Sequence, residues 1–454
     1  MKYKAYTVRN FREINQLDKL SGEEKKAMEI VSRVFPFRTN NYIVDELIDW
    51  ENYRDDPMFV LSFPQHDMLQ NEHFEVVDDL VSSGADNTKI HQAVNDIRLE
   101  LNPHPAGQLE HNVPELDGIR LTGVQHKYNE TVLFFPSQGQ TCHAYCTFCF
   151  RWPQFIGMSD LKFAMKQADL LVDYLREHEE VSDVLFTGGD PMTMNYTHLA
   201  KYIRTLINAK IPHLKNIRIG TKTLSFWPYR YLKDNDSEQV LDLFREVVDS
   251  GYHLAFMAHF SHPVELSTTA VQDAIGRINQ TGTKIRSQSP VLNKINADAD
   301  IWADMWKKQV SLGIIPYYMF VARDTGAKHF FGVPLERTWN IFREAYRQVS
   351  GICRTVRGPS MSANPGKVQI LGVSRVNGKK VFVLTFLQAR NPDWVGRPFF
   401  AEYSPRASWL TDLKPAFGEE EFFYSREFRR MLKIDEDTLN LFSEELQNIF
   451  NRDQ

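Results

Sequence analysis

Three of the chain's four cysteines fall within eight residues, in the run Cys142-His143-Ala144-Tyr145-Cys146-Thr147-Phe148-Cys149. Thiolates are the preferred ligands of iron–sulfur clusters. Three of them on one tight loop, spaced C-x3-C-x2-C, can hold three irons of a [4Fe–4S] cube and leave the fourth iron open to another ligand. A cluster that only transfers electrons would normally take a fourth cysteine, and the remaining one, Cys353, lies more than 200 positions away. The alternative is a zinc site made of the three cysteines and His143. Structural zinc motifs usually carry two well-separated ligand pairs, and His143 directly follows Cys142, too close for easy shared coordination.

A second run, Val184-Leu185-Phe186-Thr187-Gly188-Gly189-Asp190-Pro191, places two glycines and a carboxylate at the end of an apolar strand-like segment. Glycine lets a backbone approach a ligand closely. Standing alone, the run could be an ordinary strand-to-helix turn.

The surrounding elements give both runs a frame. From about residue 130, β-rich stretches alternate with amphipathic helical ones. Strands are expected at Thr131–Pro136, Asp183–Thr187, Asn216–Gly220, His253–His259, Lys284–Pro290 and Tyr317–Ala322. Helices are expected at Lys162–His178, Thr197–Ala209, Ser237–Ser250, Thr268–Thr281, Ile301–Gly313 and Leu335–Val349. Repeated β-then-α units imply a parallel sheet with right-handed crossovers. The predicted fold class is α/β, a partial (β/α)6 barrel with ligands at the C-terminal ends of its strands. Residues 1–125 read as a polar, mainly helical region, with helix-like spacing at Ile43–Trp50 and Asp86–Leu101 and a Pro/His/Gly-rich loop at Asn102–His111. The barrel occupies 126–350. Residues 351–454 carry a β-hairpin, Val368–Val376 and Val381–Leu387 about an Asn377-Gly378 turn, and a helix near the end.

With 53 basic and 58 acidic residues the net charge is −5, which gives no global attraction to nucleic acid or anionic membrane. The longest apolar runs are strand-sized, far short of a spanning helix. The start, Met1–Asn10, lacks the apolar core of a signal peptide. Clustered rather than dispersed cysteines argue against a disulfide framework. A cytoplasmic protein is expected, without nucleic-acid or membrane partners.

The cysteine spacing at the head of a partial barrel resembles the radical S-adenosylmethionine (SAM) superfamily. The resemblance implies that the open iron binds the amino and carboxylate groups of SAM, and that reduction yields a 5′-deoxyadenosyl radical. It places Phe148 near the adenine and gives Gly188, Gly189 and Asp190 to the SAM amino group. The closer resemblance, across roughly 35–410, is to the lysine 2,3-aminomutase branch. Its pieces include Phe35-Pro36-Phe37, Cys149-Phe150-Arg151, Ile217–Lys222, His259-Phe260-Ser261-His262-Pro263, Ser287–Leu292, Pro316-Tyr317-Tyr318, Ser350-Gly351-Ile352-Cys353 and Gly366-Lys367.

That branch implies pyridoxal phosphate (PLP) on Lys367, with phosphate contacts at Lys127 and Tyr128. Here Thr131 replaces a second basic residue, Phe320 replaces a ring-stacking tyrosine, and most of the family's glycine run before the lysine is missing. Arg151 matches the arginine that pairs with the substrate α-carboxylate. His259 and Gln288 are candidates to contact SAM. The two aspartates that hold a lysine side chain in the branch fall on Arg323 and Arg357, although Asp324 beside Arg323 would restore one carboxylate after a one-residue shift. Two arginines would repel an ammonium, so the expected substrate is another amino acid, glutamate-like for example. The implied reaction moves an amino group from C2 to C3. The branch's zinc-binding cysteines are absent, so no zinc is expected, and Cys353 reads as a core residue. Expected partners are a small amino-acid substrate and an electron donor such as a flavodoxin or ferredoxin; a homo-oligomer is left open. The readings that compete are a PLP-independent radical SAM enzyme on this scaffold and a non-catalytic iron–sulfur or zinc protein.

Overall fold

In the computed structural model, which describes residues 1–102, 112–156 and 163–432, eleven strands form one sheet in strict chain order. They are β1 (Val124–Tyr128), β2 (Thr131–Phe134), β3 (Asp183–Phe186), β4 (Asn216–Thr221), β5 (His253–His259), β6 (Lys284–Val291), β7 (Ile315–Val321), β8 (Arg357–Ser362), β9 (Gly366–Val376), β10 (Lys379–Ala389) and β11 (Pro398–Glu402). Parallel pairing runs from β2 through β8. The expected strands are all present, and β8 adds a parallel strand that the sequence pattern did not reveal. Its Arg357-Gly358-Pro359-Ser360 start has no β-rich apolar run to mark it. The ends of the sheet are antiparallel: β1 against β2, and β8 through β11 in succession.

Helices return the chain between the parallel strands on the outside of the sheet. With α1 to α4 assigned to Gly22–Val34, Pro57–Ser62, Asn71–Ser82 and Asn87–Glu100, they are α5 (Ala168–Glu177), α6 (Tyr196–Asn208), α7 (Ser237–Asp249), α8 (Thr269–Gln280), α9 (Ala299–Ser311) and α10 (Leu335–Arg347). Their inner faces, such as Leu199, Ile203 and Leu206 on α6, pack on Val184, Phe186, Ile217 and Ile219 of the sheet. This is the amphipathic stripe that helical spacing predicts. Side chains of the opposite parity point inward: Arg218 and Gly220 on β4, Gln288 and Pro290 on β6, Tyr318 and Phe320 on β7 all line the interior.

Where elements differ from the sequence reading, backbone pairing explains it. The helix expected from Lys162 starts instead at Ala168. Met165 is held as a strand residue, its N–H bonded to the Phe135 carbonyl and its carbonyl to the Ser137 N–H. Lys162 itself, nearly all of the Asn102–His111 loop and the expected terminal helix lie outside the described residues. The helical pattern at Ile43–Trp50 is one wide turn, Ile43–Leu47, closed by Ile48 N–H to Ile43 C=O. α4 matches expectation closely.

The N-terminal region and the loops at the C-terminal rim of the barrel share one apolar core. Met28, Val31, Tyr42, Phe59 and Phe63 pack in the same cluster as Ala144 and Trp152 of the cysteine-loop region, Phe226 and Trp227 after β4, Leu292 after β6, and Phe330 and Phe331 after β7. The first hundred residues therefore form a cap over the rim where the ligands of such barrels bind. No helix among the described residues is long and apolar enough to cross a membrane.

Candidate active site

A cavity of about 400 Å³ lies under this cap, inside the C-terminal end of the barrel. It is lined by all three clustered cysteines together with Lys127, Tyr128, Phe148, Arg151, Gly188, Gly189, Asp190, His259, Gln288, Arg323 and Lys367. Residues separated by up to 240 positions thus converge on one space. Arg357 does not join them. It pairs with Tyr318 where β8 begins, at the end of the strand away from the rim. Its guanidinium is exposed, 5.2 Å from the Tyr317 ring centre.

The cysteine loop is clamped from two sides. From the cap, Tyr145 N–H bonds the Arg38 carbonyl at 2.8 Å and Thr147 N–H the Leu61 carbonyl at 3.0 Å. Tyr3 Oη and Asn40 Nδ2 both donate to the His143 carbonyl, at 2.8 and 3.2 Å. From the barrel, the Asp190 N–H bonds the Thr141 carbonyl at 2.7 Å. The glycines make that approach possible. A Cβ at Gly189 would lie 2.5 Å from the Thr141 backbone, and one at Gly188, whose φ is +135°, would lie 2.2 Å from the Gln140 side chain. Close packing of the turn on the cysteine loop is thus one physical reason for both glycines.

Asp190 is fully engaged. Its carboxylate accepts from the Met192 and Lys222 N–H groups at 2.9 Å each, from Thr221 Oγ1 at 2.7 Å and from Thr223 Oγ1 at 2.9 Å. Four donors fill the capacity of the group, so Asp190 ties the β3 turn to the end of β4. Burial raises its pKa against these bonds.

Burial also pushes all three cysteine thiols above their ordinary range. Bound iron, a positive charge at the sulfurs, is what would bring them to thiolate. His143 is committed elsewhere: its Nδ1 lies 3.1 Å from Thr223 Oγ1, and burial takes its pKa down to about 3.

Beside the loop, the Phe148 ring meets His259 edge-on at 5.6 Å. His259 Nε2 is buried without a hydrogen-bond partner, and burial holds the ring neutral. A buried orphan polar atom in a cavity wall is the mark of a site built for a polar ligand.

At the opposite wall Lys367, on β9, points its ammonium between aromatic rings, 3.9 Å from the centre of Tyr318 and 5.5 Å from Phe320. It donates a hydrogen bond to Gln388 Oε1 at 3.0 Å, across the β9–β10 ladder. Burial, then the charges of Arg218 and Arg357, lower its pKa from 10.5 to about 7. Near neutral pH a large share of this amine is an uncharged nucleophile. Lys127 lies close by, donating to the Ala363 carbonyl, and its own pKa is driven down by burial and by Arg390, Arg323 and Lys367.

Arg151 stacks 4.5 Å from the Phe135 ring centre and 5.2 Å from Phe150, with burial reducing its pKa to about 10. Arg323 stands 5.1 Å from the Phe150 ring centre and 5.8 Å from that of Trp409. Asp190 is the one carboxylate among the described residues lining the cavity, and it is saturated. Three lining cations have carboxylates just outside: Arg218 pairs with Asp183, Lys222 with Glu265, and Arg323 feels the charge of Asp324. The rest of the positive charge faces the cavity with aromatic neighbours.

Sequence reasoning overlooked several of these residues. Gln388 lies one position past the hairpin as read from sequence; the ladder in fact runs Lys379–Ala389 and sets Gln388 opposite Lys367. Arg218 and Lys222 lie in a run noted only for its resemblance. Inward parity on β4 is the signal that would have singled out Arg218.

No family model matches the chain. Among curated proteins, a candidate L-lysine 2,3-aminomutase of Aquifex aeolicus is 29% identical over 89% of this chain and 94% of its own length. The glutamate 2,3-aminomutase of Clostridioides difficile is 28% identical over 72% of this chain and 67% of its own. The L-lysine 2,3-aminomutase of Clostridium subterminale is 26% identical over 60% and 62%. Among solved structures, a radical SAM methyltransferase from Sphaerobacter thermophilus overlays 64% of this chain and 94% of its own at 15% identity, with a TM-score of 0.37; the overlay is too loose to bear on function. The chain is an enzyme similar in sequence to curated aminomutases. Its resemblance, seen first in the sequence motifs, is to the lysine 2,3-aminomutase branch, and its curated relatives carry the names of aminomutases.

Two outcomes follow from this geometry. Gly189→Ala forces the β3 turn off the cysteine loop, so iron per chain after reconstitution should fall well below wild type while far-UV circular dichroism is kept. For Lys367, the folded pKa is depressed, so between about pH 7 and 10.5 the unfolded chain binds more protons and stability rises with pH. Below that window both states are protonated and the burial penalty is fully felt. Urea titrations across it should show the rise in wild type and a smaller rise in Lys367→Met.

Proposed function

We propose that this protein shifts an amino group between C2 and C3 of an amino acid other than lysine, with a [4Fe–4S] cluster on Cys142, Cys146 and Cys149, SAM at the open iron and PLP on Lys367. The observation that carries the reading is the single cavity that gathers a three-thiol loop and a buried, depressed-pKa lysine among cations with no free carboxylate. When bound, the cluster and SAM would supply a hydrogen-abstracting radical and PLP would delocalise the unpaired electron.

The chain's own contribution is placement. Arg151 offers a guanidinium fork to the substrate α-carboxylate, oriented by the Phe135 and Phe150 rings. Lys367, flanked by Tyr318 and Phe320, presents an amine that is largely neutral at physiological pH. Lys127 and Tyr128 supply a cation and a hydroxyl beside it for an anionic group such as a phosphate. Phe148 and the free His259 Nε2 form the wall next to the cysteine loop, where a nucleoside would stack and bond. The cap covers the rim beside this space.

Substrate choice follows from charge. A lysine ammonium would meet Arg323 and no free carboxylate, and an unpaired buried charge costs about 3–5 kcal/mol. An anionic or neutral side chain avoids that cost, and Arg323 would pair with a carboxylate. The glutamate 2,3-aminomutase among the relatives is consistent with such a substrate.

The deciding experiment is anaerobic. The cluster is reconstituted, PLP is added, and absorbance is recorded before and after borohydride, followed by peptide mass spectrometry. A reduced PLP adduct on Lys367 is expected. Cluster absorbance without an adduct would leave a radical SAM enzyme of another outcome. With the adduct in hand, amino acids are screened, acidic ones first. For an acidic substrate, Arg323→Met should lower kcat/KM about 10- to 100-fold, the range of a lost charged hydrogen bond worth about 1.5–3 kcal/mol, while SAM cleavage without substrate is unchanged.

A further inference from the structure

Away from the cavity, on the outer side of the barrel, β1 and the turn that ends α5 bring together His126, His178 and Glu180. One ligand atom from each lies within 4.8 Å of the others, the sole such trio of histidine, cysteine and acidic side chains among the described residues. His126 points toward α5 while its neighbours Gln125 and Lys127 line the cavity. The rings of His126 and His178 stand perpendicular, 5.6 Å apart.

The hydrogen bonds already fix much of what a metal would need. His126 Nε2 lies 3.1 Å from the Asn129 carbonyl. A carbonyl only accepts, so Nε2 carries the proton and Nδ1 keeps its lone pair, which now faces Tyr174 Oη at 2.6 Å. A ligating histidine whose other nitrogen donates to a backbone carbonyl is the usual arrangement at metal sites. Burial keeps this imidazole neutral, the ligating form. His178 Nδ1 lies 2.9 Å from Glu180 Oε1, and hydrogen bonds from the Glu180 backbone N–H and from His178 lower the Glu180 pKa against burial. Two imidazoles and a carboxylate, open to solvent on one side, are a zinc-type donor set with room for water. Hard cations such as magnesium or calcium would prefer oxygen ligands alone.

We propose that His126, His178 and Glu180 form a binding site for a zinc-class divalent cation. The ion would tie the edge strand of the barrel to the helix that follows the cysteine loop. Because Lys127 is the next residue on that strand, the tie would steady one wall of the cavity from outside. The site shares no residue with the cavity and stands whether or not the aminomutase reading holds.

The test uses cluster-loaded protein, so that the cysteine thiols are occupied. Wild type, His178→Ala, Glu180→Gln and the double variant are dialysed anaerobically against micromolar zinc, and zinc and iron per chain are measured. One zinc per chain is expected in wild type beyond the double variant, with iron unchanged in all four. Each single substitution should weaken binding by about tenfold or more, and zinc should raise the Tm of wild type only. Equal zinc content and equal affinity in wild type and double variant would overturn the proposal, leaving a hydrogen-bonded surface cluster. Matching Tm values without zinc verify that the variants are folded.

Discussion

The site depends on a clamp. The loop that carries Cys142, Cys146 and Cys149 has no regular secondary structure of its own across these residues, and its backbone groups are satisfied from outside: by Arg38 and Leu61 of the cap on one side and by Asp190 of the β3 turn on the other. Orphan backbone groups under a cap would be costly, so these bonds fix the loop's place as well as its shape. Asp190 reaches further, because its side chain gathers Thr221, Lys222 and Thr223. One carboxylate and one peptide N–H thereby hold the cysteine loop, the β3 turn and the end of β4 in a common frame. The arrangement also explains why a residue that sequence resemblance gives to a ligand is occupied with the fold's own donors.

Charge is the second constraint. Basic side chains are seldom gathered in one cavity, yet Lys127, Arg151, Arg323 and Lys367 all line the same space, and each has its pKa lowered mainly by burial. Aromatic faces from Tyr128, Phe135, Phe150, Tyr318 and Trp409 offset part of that cost. Such a cavity favours anions. Phosphate, the carboxylate of SAM and the carboxylates of an acidic amino acid are all of that sign.

Much of this was legible from residues alone. Strand and helix periods marked every parallel strand from β2 to β7, since each is a short apolar run bounded by polar turns. The cysteine spacing pointed to the site, and the hairpin's Asn-Gly turn marked β9 and β10. What escaped has physical reasons. β8 is built from Arg357, Gly358, Pro359 and serines, which carry no strand signal and are held by their neighbours. Its start lies at the far end of the barrel, so Arg357, which lines up in sequence with a pocket residue, stays out of the pocket. Gln388 is set opposite Lys367 by ladder register, which composition does not encode. The saturation of Asp190 depends on two hydroxyls and one backbone N–H more than thirty residues downstream.

The shared core of cap and rim has an implication for synthesis. Residues such as Val31, Tyr42 and Phe63 are buried against groups as distant in the chain as Phe330 and Phe331. On the ribosome the first hundred residues emerge early, but the surface they cover is not finished until the seventh strand has been made. Until then a large apolar face waits in the open. The nascent chain should therefore be a client of trigger-type chaperones, and its cysteine loop should stay open to iron delivery until the cap settles over it.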